Sequence, residues 1–152
     1  MLECFCLIAA LGFFANALLH LLLIVGFPLG EYVLGGKQTV LPYSMRILSM
    51  LFLIVWISVG ICYLNYGGFI SLSRLEHLDR WVIIAVTVFL LFAIFSNAFL
   101  TNSKKERLVM TPFCLITFIL SIGVLFLTLK KWNPPRRSHP IKLFIVFRRL
   151  IQ

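Results

Sequence analysis

Residues 47–66 read ILSMLFLIVWISVGICYLNY and contain no Lys, Arg, Asp or Glu. A helix of about 20 apolar residues is long enough to cross the hydrocarbon of a bilayer. Residues 5–27, 81–100 and 111–129 share that length and character, and none of them carries a formal charge. Peptide groups inside lipid find no water to bond, so each run is expected to satisfy its own backbone as a helix. The expected fold class is all-α, a compact bundle of four transmembrane helices.

Whole-chain composition agrees. Of the 152 residues, 61% are apolar and 12% are charged, against about 45–50% and about 25% in soluble globular chains. Mean hydropathy is +1.03. The length suits one domain. Residues 1–131 are expected to hold the four spans, and residues 132–152 to form a basic, apolar-rich tail. Ala15-Asn16-Ala17 looks like a signal-peptide cleavage site. No basic residue precedes it, however, and the apolar run continues for ten residues beyond it, so a retained first span is expected.

Helix ends are marked by residues with special backbone demands. Pro28 is expected to close the first helix and Gly67-Gly68 the second. Ser73-Arg74-Leu75-Glu76 and Ser103-Lys104-Lys105-Glu106 have the spacing of capping boxes before the third and fourth. Thr111-Pro112 offers a competing start for the fourth, with Thr111 as N-cap. Either a kinked helix runs from Lys104 or a turn precedes a span that begins at Pro112. Trp81 and Trp132 fall at the expected interfaces.

The net charge of +9 comes from fourteen Lys and Arg against five Asp and Glu. Bases beside apolar spans set orientation and meet anionic lipid head groups, so membrane lipids are the expected partners and nucleic acid is not. Nine bases lie on the side of the termini and five on the other, which favours cytoplasmic termini. Glu3, with no base before the first span, points the other way. The tail, with Lys142, Arg148 and Arg149 among apolar residues, reads either as a surface-lying segment or as an orientation signal. Four cysteines are present without a C-x-x-C spacing or a Cys/His set, so neither a metal nor a cofactor is expected. Cys62 and Cys114 lie in apolar runs and read as packing residues.

Polar residues gather at the membrane side opposite the termini. Glu31, Lys37, Arg46, Ser103, Glu106 and Arg107 flank the spans there. His20, Ser49, Asn97, Thr111 and Thr117 lie in the nearby helical turns. Asn16 and His20 are four apart and share a helix face. His20 reads either as a proton-exchanging group or as a hydrogen-bonding packing residue. The second and fourth helices begin on this side, so their free N–H groups, with Arg46, Arg107 and Lys37, suit an anion. The same bases also suit bulk lipid phosphate. The glycine-framed segment from Gly30 to Lys37 lacks P-loop spacing. It reads as a tight turn, a re-entrant excursion or a plain connection.

Pro28-Leu29-Gly30-Glu31-Tyr32, Gly35-Gly36-Lys37, Val40-Leu41-Pro42 before Arg46, and Glu106-Arg107 leading to Met110-Thr111-Pro112 resemble an uncharacterised family of small bacterial four-span proteins. The likeness covers about residues 10–128. It implies a fold and a set of marked positions: Glu31, Gly36, Lys37, Arg46, Asn97, Ser103, Glu106, Arg107, Thr111 and Pro112. It implies no activity, and nothing for the tail beyond Lys130.

The expected function is binding or transport of a small anionic or amphipathic, lipid-like ligand in a polar vestibule between helix ends, with a homo-oligomer needed for a full path. The site is expected to comprise His20, Glu31, Lys37, Arg46, Asn97, Ser103, Glu106, Arg107 and Thr111. A membrane-embedded enzyme acting on a lipid-like substrate is the alternative, weakened by the depth of His20 below any loop carboxylate. An accessory or assembly subunit is the third reading. An even number of spans puts both termini on one side, so reporter fusions at residues 1 and 152 should report the same compartment. Opposite compartments would remove the four-span reading.

Overall fold

The structure, a computed structural model, describes residues 1–72 and 76–131. Ser73 of the first expected capping box, Trp132 and residues 132–152 lie outside the described residues. Four helices make up the fold: α1 (Leu2–Val25), α2 (Tyr43–Tyr66), α3 (Glu76–Phe95) and α4 (Lys104–Lys131), with no strand among the described residues. All four are long and apolar enough to cross a membrane, α3 together with the turn that follows it. Consecutive helices pack side by side and α4 closes back on α1, so the bundle is an up-down-up-down ring. Contact is most extensive between α1 and α2 and thinnest between α2 and α3.

The helix ends differ from expectation in instructive ways. Gly26, at φ 102°, terminates α1 in a left-handed cap whose N–H reaches the Leu22 and Leu23 carbonyls at 3.2 Å. The helix thus stops two residues before Pro28, because a glycine can satisfy the last carbonyls and a proline cannot. Helix α2 begins at Tyr43 rather than Ile47, directly after Pro42 in extended backbone. Helix α4 runs unbroken from Lys104 through Pro112. Its first turn is capped by Ser103, whose Oγ accepts from the Glu106 N–H at 3.2 Å and whose carbonyl accepts from the Arg107 N–H at 3.0 Å. Thr111 is therefore inside the helix and not at its cap, and its hydroxyl is buried without a partner. Helix α3 gives way to a π-helical turn, Ser96–Leu100.

Packing divides the bundle into a filled half and a hollow half. Near the termini, Cys6, Ala9 and Ala10 of α1 meet Val59 and Tyr63 of α2, Ile83 and Val86 of α3 and Val124 of α4 in one cluster. Tyr63 crosses its centre and donates to Ser121 Oγ at 2.7 Å, and Ser121 donates on to the Thr117 carbonyl at 2.8 Å. The outer face carries exposed Leu11, Leu18, Leu51, Ile116 and Phe126, as a lipid-facing surface requires.

At the terminal end of the α2–α3 pair, Asp79 is fully buried. The Asn65 amide donates to its carboxylate while the Asn65 carbonyl accepts from the Leu72 N–H at 2.7 Å. A buried carboxylate that loses its donor retains its desolvation penalty. Asn65→Ala should accordingly lower stability by about 2–4 kcal/mol, read as the thermal or denaturant midpoint of the purified protein. An unchanged midpoint would show that water replaces the amide freely.

Candidate functional site

The segment between α1 and α2 lies over the hollow end of the bundle. It starts with a 3-10 turn at Gly30–Tyr32. Leu34, Gly35 and Gly36 then follow at φ 55°, 85° and 60°. Three consecutive left-handed residues reverse the chain sharply, and at Leu34 that conformation costs about 1–2 kcal/mol. Gly36 has a second constraint. A Cβ there would fall on the Ser103 side chain and 2.7 Å from the Glu31 carbonyl, so the loop rests directly on the start of α4. Leu23, Val33 and Leu41 form a small apolar cluster beneath it.

Three ties fix this loop to α4. Ser103 Oγ donates to the Glu31 carbonyl at 2.7 Å. The Gly35 N–H donates to Glu106 Oε1 at 3.2 Å. Lys105 forms an ion pair with Glu31, whose other oxygen accepts from the Thr39 hydroxyl at 3.3 Å. The hydrogen bond and charge of Lys105 hold the Glu31 carboxyl below its ordinary pKa. The expected vestibule between the helix ends is thus roofed over by residues 29–41.

Beneath the roof is a cavity of ≈ 460 Å³, and every helix contributes one stripe to its wall. Helix α1 supplies Phe13, Asn16 and His20; α2 supplies Phe52 and Trp56. Phe89, Phe92, Ala93, Ser96 and Asn97 come from α3 and its π turn, and Glu106, Met110, Phe113 and Cys114 from α4. Leu34 closes the top. Rings stack through the wall: Phe13 on Trp56 at 5.6 Å and His20 on Phe52 at 5.2 Å. Phe89 and Phe92 belong both to the wall and to the outer surface, at 43% and 62% exposure. The cavity therefore opens past them towards the acyl layer, beside the thin α2–α3 seam.

Polar groups in this wall are few: His20 and Glu106 are buried, and Asn16, Ser96 and Asn97 are half-buried. Glu106 is 5% exposed and accepts from the Thr101 hydroxyl as well as from Gly35. It leaves the reciprocal half of its capping box unmade, since the Ser103 N–H donates instead to Thr101 Oγ1 at 3.3 Å. Asn97 makes a long contact, 3.6 Å, to Cys114 Sγ. His20 and Trp56, 5% and 6% exposed, each keep a buried ring nitrogen without a partner, Nδ1 and Nε1 respectively. Among the described residues no cluster suits a metal ion.

Of the residues singled out from sequence, His20, Asn97 and Glu106 meet at this cavity. Glu31 and Ser103 tie the roof. Arg46 and Arg107 do not converge on an anion-sized space. Arg46 Nε donates to the Leu41 carbonyl at 2.9 Å with its guanidinium against Gly26, and Arg107 donates to the Thr101 carbonyl at 3.1 Å. Lys37 borders a crevice of only ≈ 10 Å³ under the loop. His20 and the Glu106 carboxylate line one cavity. Glu106 is not a loop residue but part of α4, which begins at Lys104 and carries the side chain inward. Trp56, Phe52 and Leu34 were missed as site residues. The four-residue spacing of Phe52 and Trp56 was the available signal for one shared face.

Compared with family models, with curated proteins and with solved structures, the chain matches none.

The Glu31–Lys105 tie makes the roof acid-sensitive. With its folded pKa depressed, Glu31 contributes stability above its ordinary pKa, and that contribution is lost as pH falls through the folded value. Hydrogen exchange over residues 30–39, corrected for its intrinsic pH dependence, should rise across that acid window. Lys105→Ala should show the raised exchange already at neutral pH and little further response to acid. An acid response of the same size in Lys105→Ala would assign it elsewhere.

Proposed function

We propose that the protein binds a small amphipathic, lipid-like molecule in the cavity under the 29–41 loop and takes it in laterally from the bilayer. The observation that carries this reading is the cavity itself. At ≈ 460 Å³ it lies within the roughly 300–1,000 Å³ typical of small-molecule sites. Its wall is mainly aromatic and aliphatic, its buried polar groups are few, and its opening faces lipid. Apolar walls with a few placed polar groups suit a ligand that is itself mostly hydrocarbon. His20 and Asn97 orient the ligand by hydrogen bonding, and Glu106 meets its polar end. Glu31, Ser103, Lys105 and Arg46 hold the loop that covers it.

The Tyr63–Ser121 contact fills the half of the bundle nearer the termini. In this conformation the chain holds a ligand and does not conduct one, so transport would require a second conformation or an oligomer. An anionic ligand has less support, because neither Arg46 nor Arg107 lines the cavity, and each donates to a backbone carbonyl. A membrane-embedded enzyme is the second reading, favoured by one observation: His20 and Glu106 line the same cavity. The proposal also groups the chain with the small bacterial four-span proteins its motifs resemble. It sets the chain in the cell membrane with cytoplasmic termini, on the bias of nine bases against five.

Filling the cavity tests the reading. The protein purified in mild detergent should carry lipid-like adducts in native mass spectra. Ala93→Phe, which puts a ring into the cavity, should reduce their occupancy by about tenfold, a loss of ~1.4 kcal/mol, without lowering the thermal midpoint. Equal occupancy in Ala93→Phe, or no adduct in the wild type, would count against it.

A further inference from the structure

Resting on the proposed ligand cavity, we propose that its ligand is an amphipathic amine. A protonated or quaternary ammonium head lies at Glu106 under the roof, and the hydrocarbon body lies along Phe52, Trp56 and Phe89. Three observations combine. The first is the charge of the wall. The chain carries fourteen Lys and Arg against five Asp and Glu, yet the wall holds the Glu106 carboxylate, and no Lys or Arg among the described residues lines it. Of the neighbouring cations, Lys105 pairs with Glu31, and Arg107 donates to the Thr101 carbonyl and stays out of the wall.

The second is the state of that carboxylate. Glu106 is 5% exposed, and its two recorded donors, the Gly35 N–H and the Thr101 hydroxyl, are both neutral. A carboxylate has about four lone-pair positions, so two donors leave acceptor capacity unused. Those donors carry no formal charge, so only the positive end of α4, in whose first turn Glu106 lies, offsets the carboxylate. In a medium where an unpaired charge is expensive, a cationic partner is favourable. A cationic head supplies both a counter-charge and further donors, and a sulfate or phosphate head would be repelled.

The third is the polarity gradient along the cavity. Helices α2 and α4 start on the same side. Glu106 lies in the first turn of α4, whereas Trp56 lies thirteen residues beyond the start of α2, which separates them by roughly 15 Å of helical rise. The formal charge of the wall lies at the loop end, at Glu106, whereas the inner end holds Phe13, Trp56 and the uncharged Asn16, one turn deeper than His20, on which Phe52 stacks. A head-up, tail-down amphiphile follows that gradient, and its tail leaves past Phe92 into lipid.

The test uses the full-length protein immobilised in neutral maltoside micelles and tritiated dodecyltrimethylammonium, read by scintillation proximity. Dodecyl sulfate and dodecanol serve as competitors of equal chain length. Saturable binding of the ammonium probe is expected, with dodecyl sulfate competing at least about tenfold more weakly than unlabelled probe. Nonspecific attraction to a chain of net charge +9 would produce the opposite order, so the ranking is a stringent measure. Glu106→Gln should weaken the ammonium by about tenfold and leave dodecanol little changed. If Glu106→Gln does not fold, the wild-type ranking alone decides. Preference for dodecyl sulfate, abolished by Ala93→Phe, overturns the amine assignment and leaves the cavity reading standing. Absence of saturable, Ala93→Phe-sensitive binding for all three probes overturns both.

Discussion

A peptide group inside hydrocarbon has nothing to bond except another peptide group or a side chain, and every other feature of this protein follows from that constraint. It turns each uncharged run into a helix. It also fixes which side chains face inward. Leu and Phe cost nothing against acyl chains, whereas Asn, His, Glu and the Trp ring nitrogen do. The polar residues of α1, α3 and α4 accordingly converge between the helices, and the exposed surface is left to Leu, Ile, Val and Phe. With no hydrophobic force between helices in lipid, close packing and interhelical hydrogen bonds hold the bundle. The Tyr63–Ser121 contact and the Asn65–Asp79 pair supply such bonds at the terminal half. The other half is closed by its loop, and its centre remains open.

That loop is a chemically economical device. Ser103 caps α4 and bonds the loop carbonyl of Glu31, and Glu106 bonds the loop amide of Gly35 while forming the cavity wall. Gly36 allows the contact because nothing larger fits against Ser103. Roof and cavity thus share Glu106, so whatever occupies the cavity near that carboxylate acts on the same oxygen atoms that hold the roof. The left-handed Leu34, paid for in backbone strain, faces the same space.

Much of this was legible in the sequence. Four uncharged runs gave four helices, and the Ser103–Glu106 spacing marked the start of α4. Helix ends were less legible, because hydropathy counts residues while caps depend on backbone geometry. Gly26 took the cap that Pro28 was expected to force, and Lys104 to Met110 joined α4 although they are too polar to score as a span. His20, Asn97 and Glu106 were recognised as marked residues, and the structure gathers them at one cavity. Arg46 and Arg107 were equally conspicuous, yet charge and position do not show whether a guanidinium faces a ligand or a nearby carbonyl. Asp79 and Asn65 drew no attention, since a carboxylate at a helix start looks like an ordinary surface residue until its burial is known. Trp56 stood inside an apolar run, where nothing separates a wall from a core.

The early start of α4 links these points. Had the helix begun at Pro112, Glu106 would have belonged to a solvated loop, free to pair with Lys104, Lys105 or Arg107. Beginning at Lys104, the helix sends consecutive residues in different directions, about 100° apart for 3.6 residues per turn. Lys105 reaches the outer carboxylate of Glu31, Glu106 turns inward, and Arg107 returns to the Thr101 carbonyl. One turn of helix thus separates charges that a flexible loop would have neutralised. It leaves the basic groups at the membrane surface, where lipid phosphate can meet them, and turns Glu106 inward to the cavity.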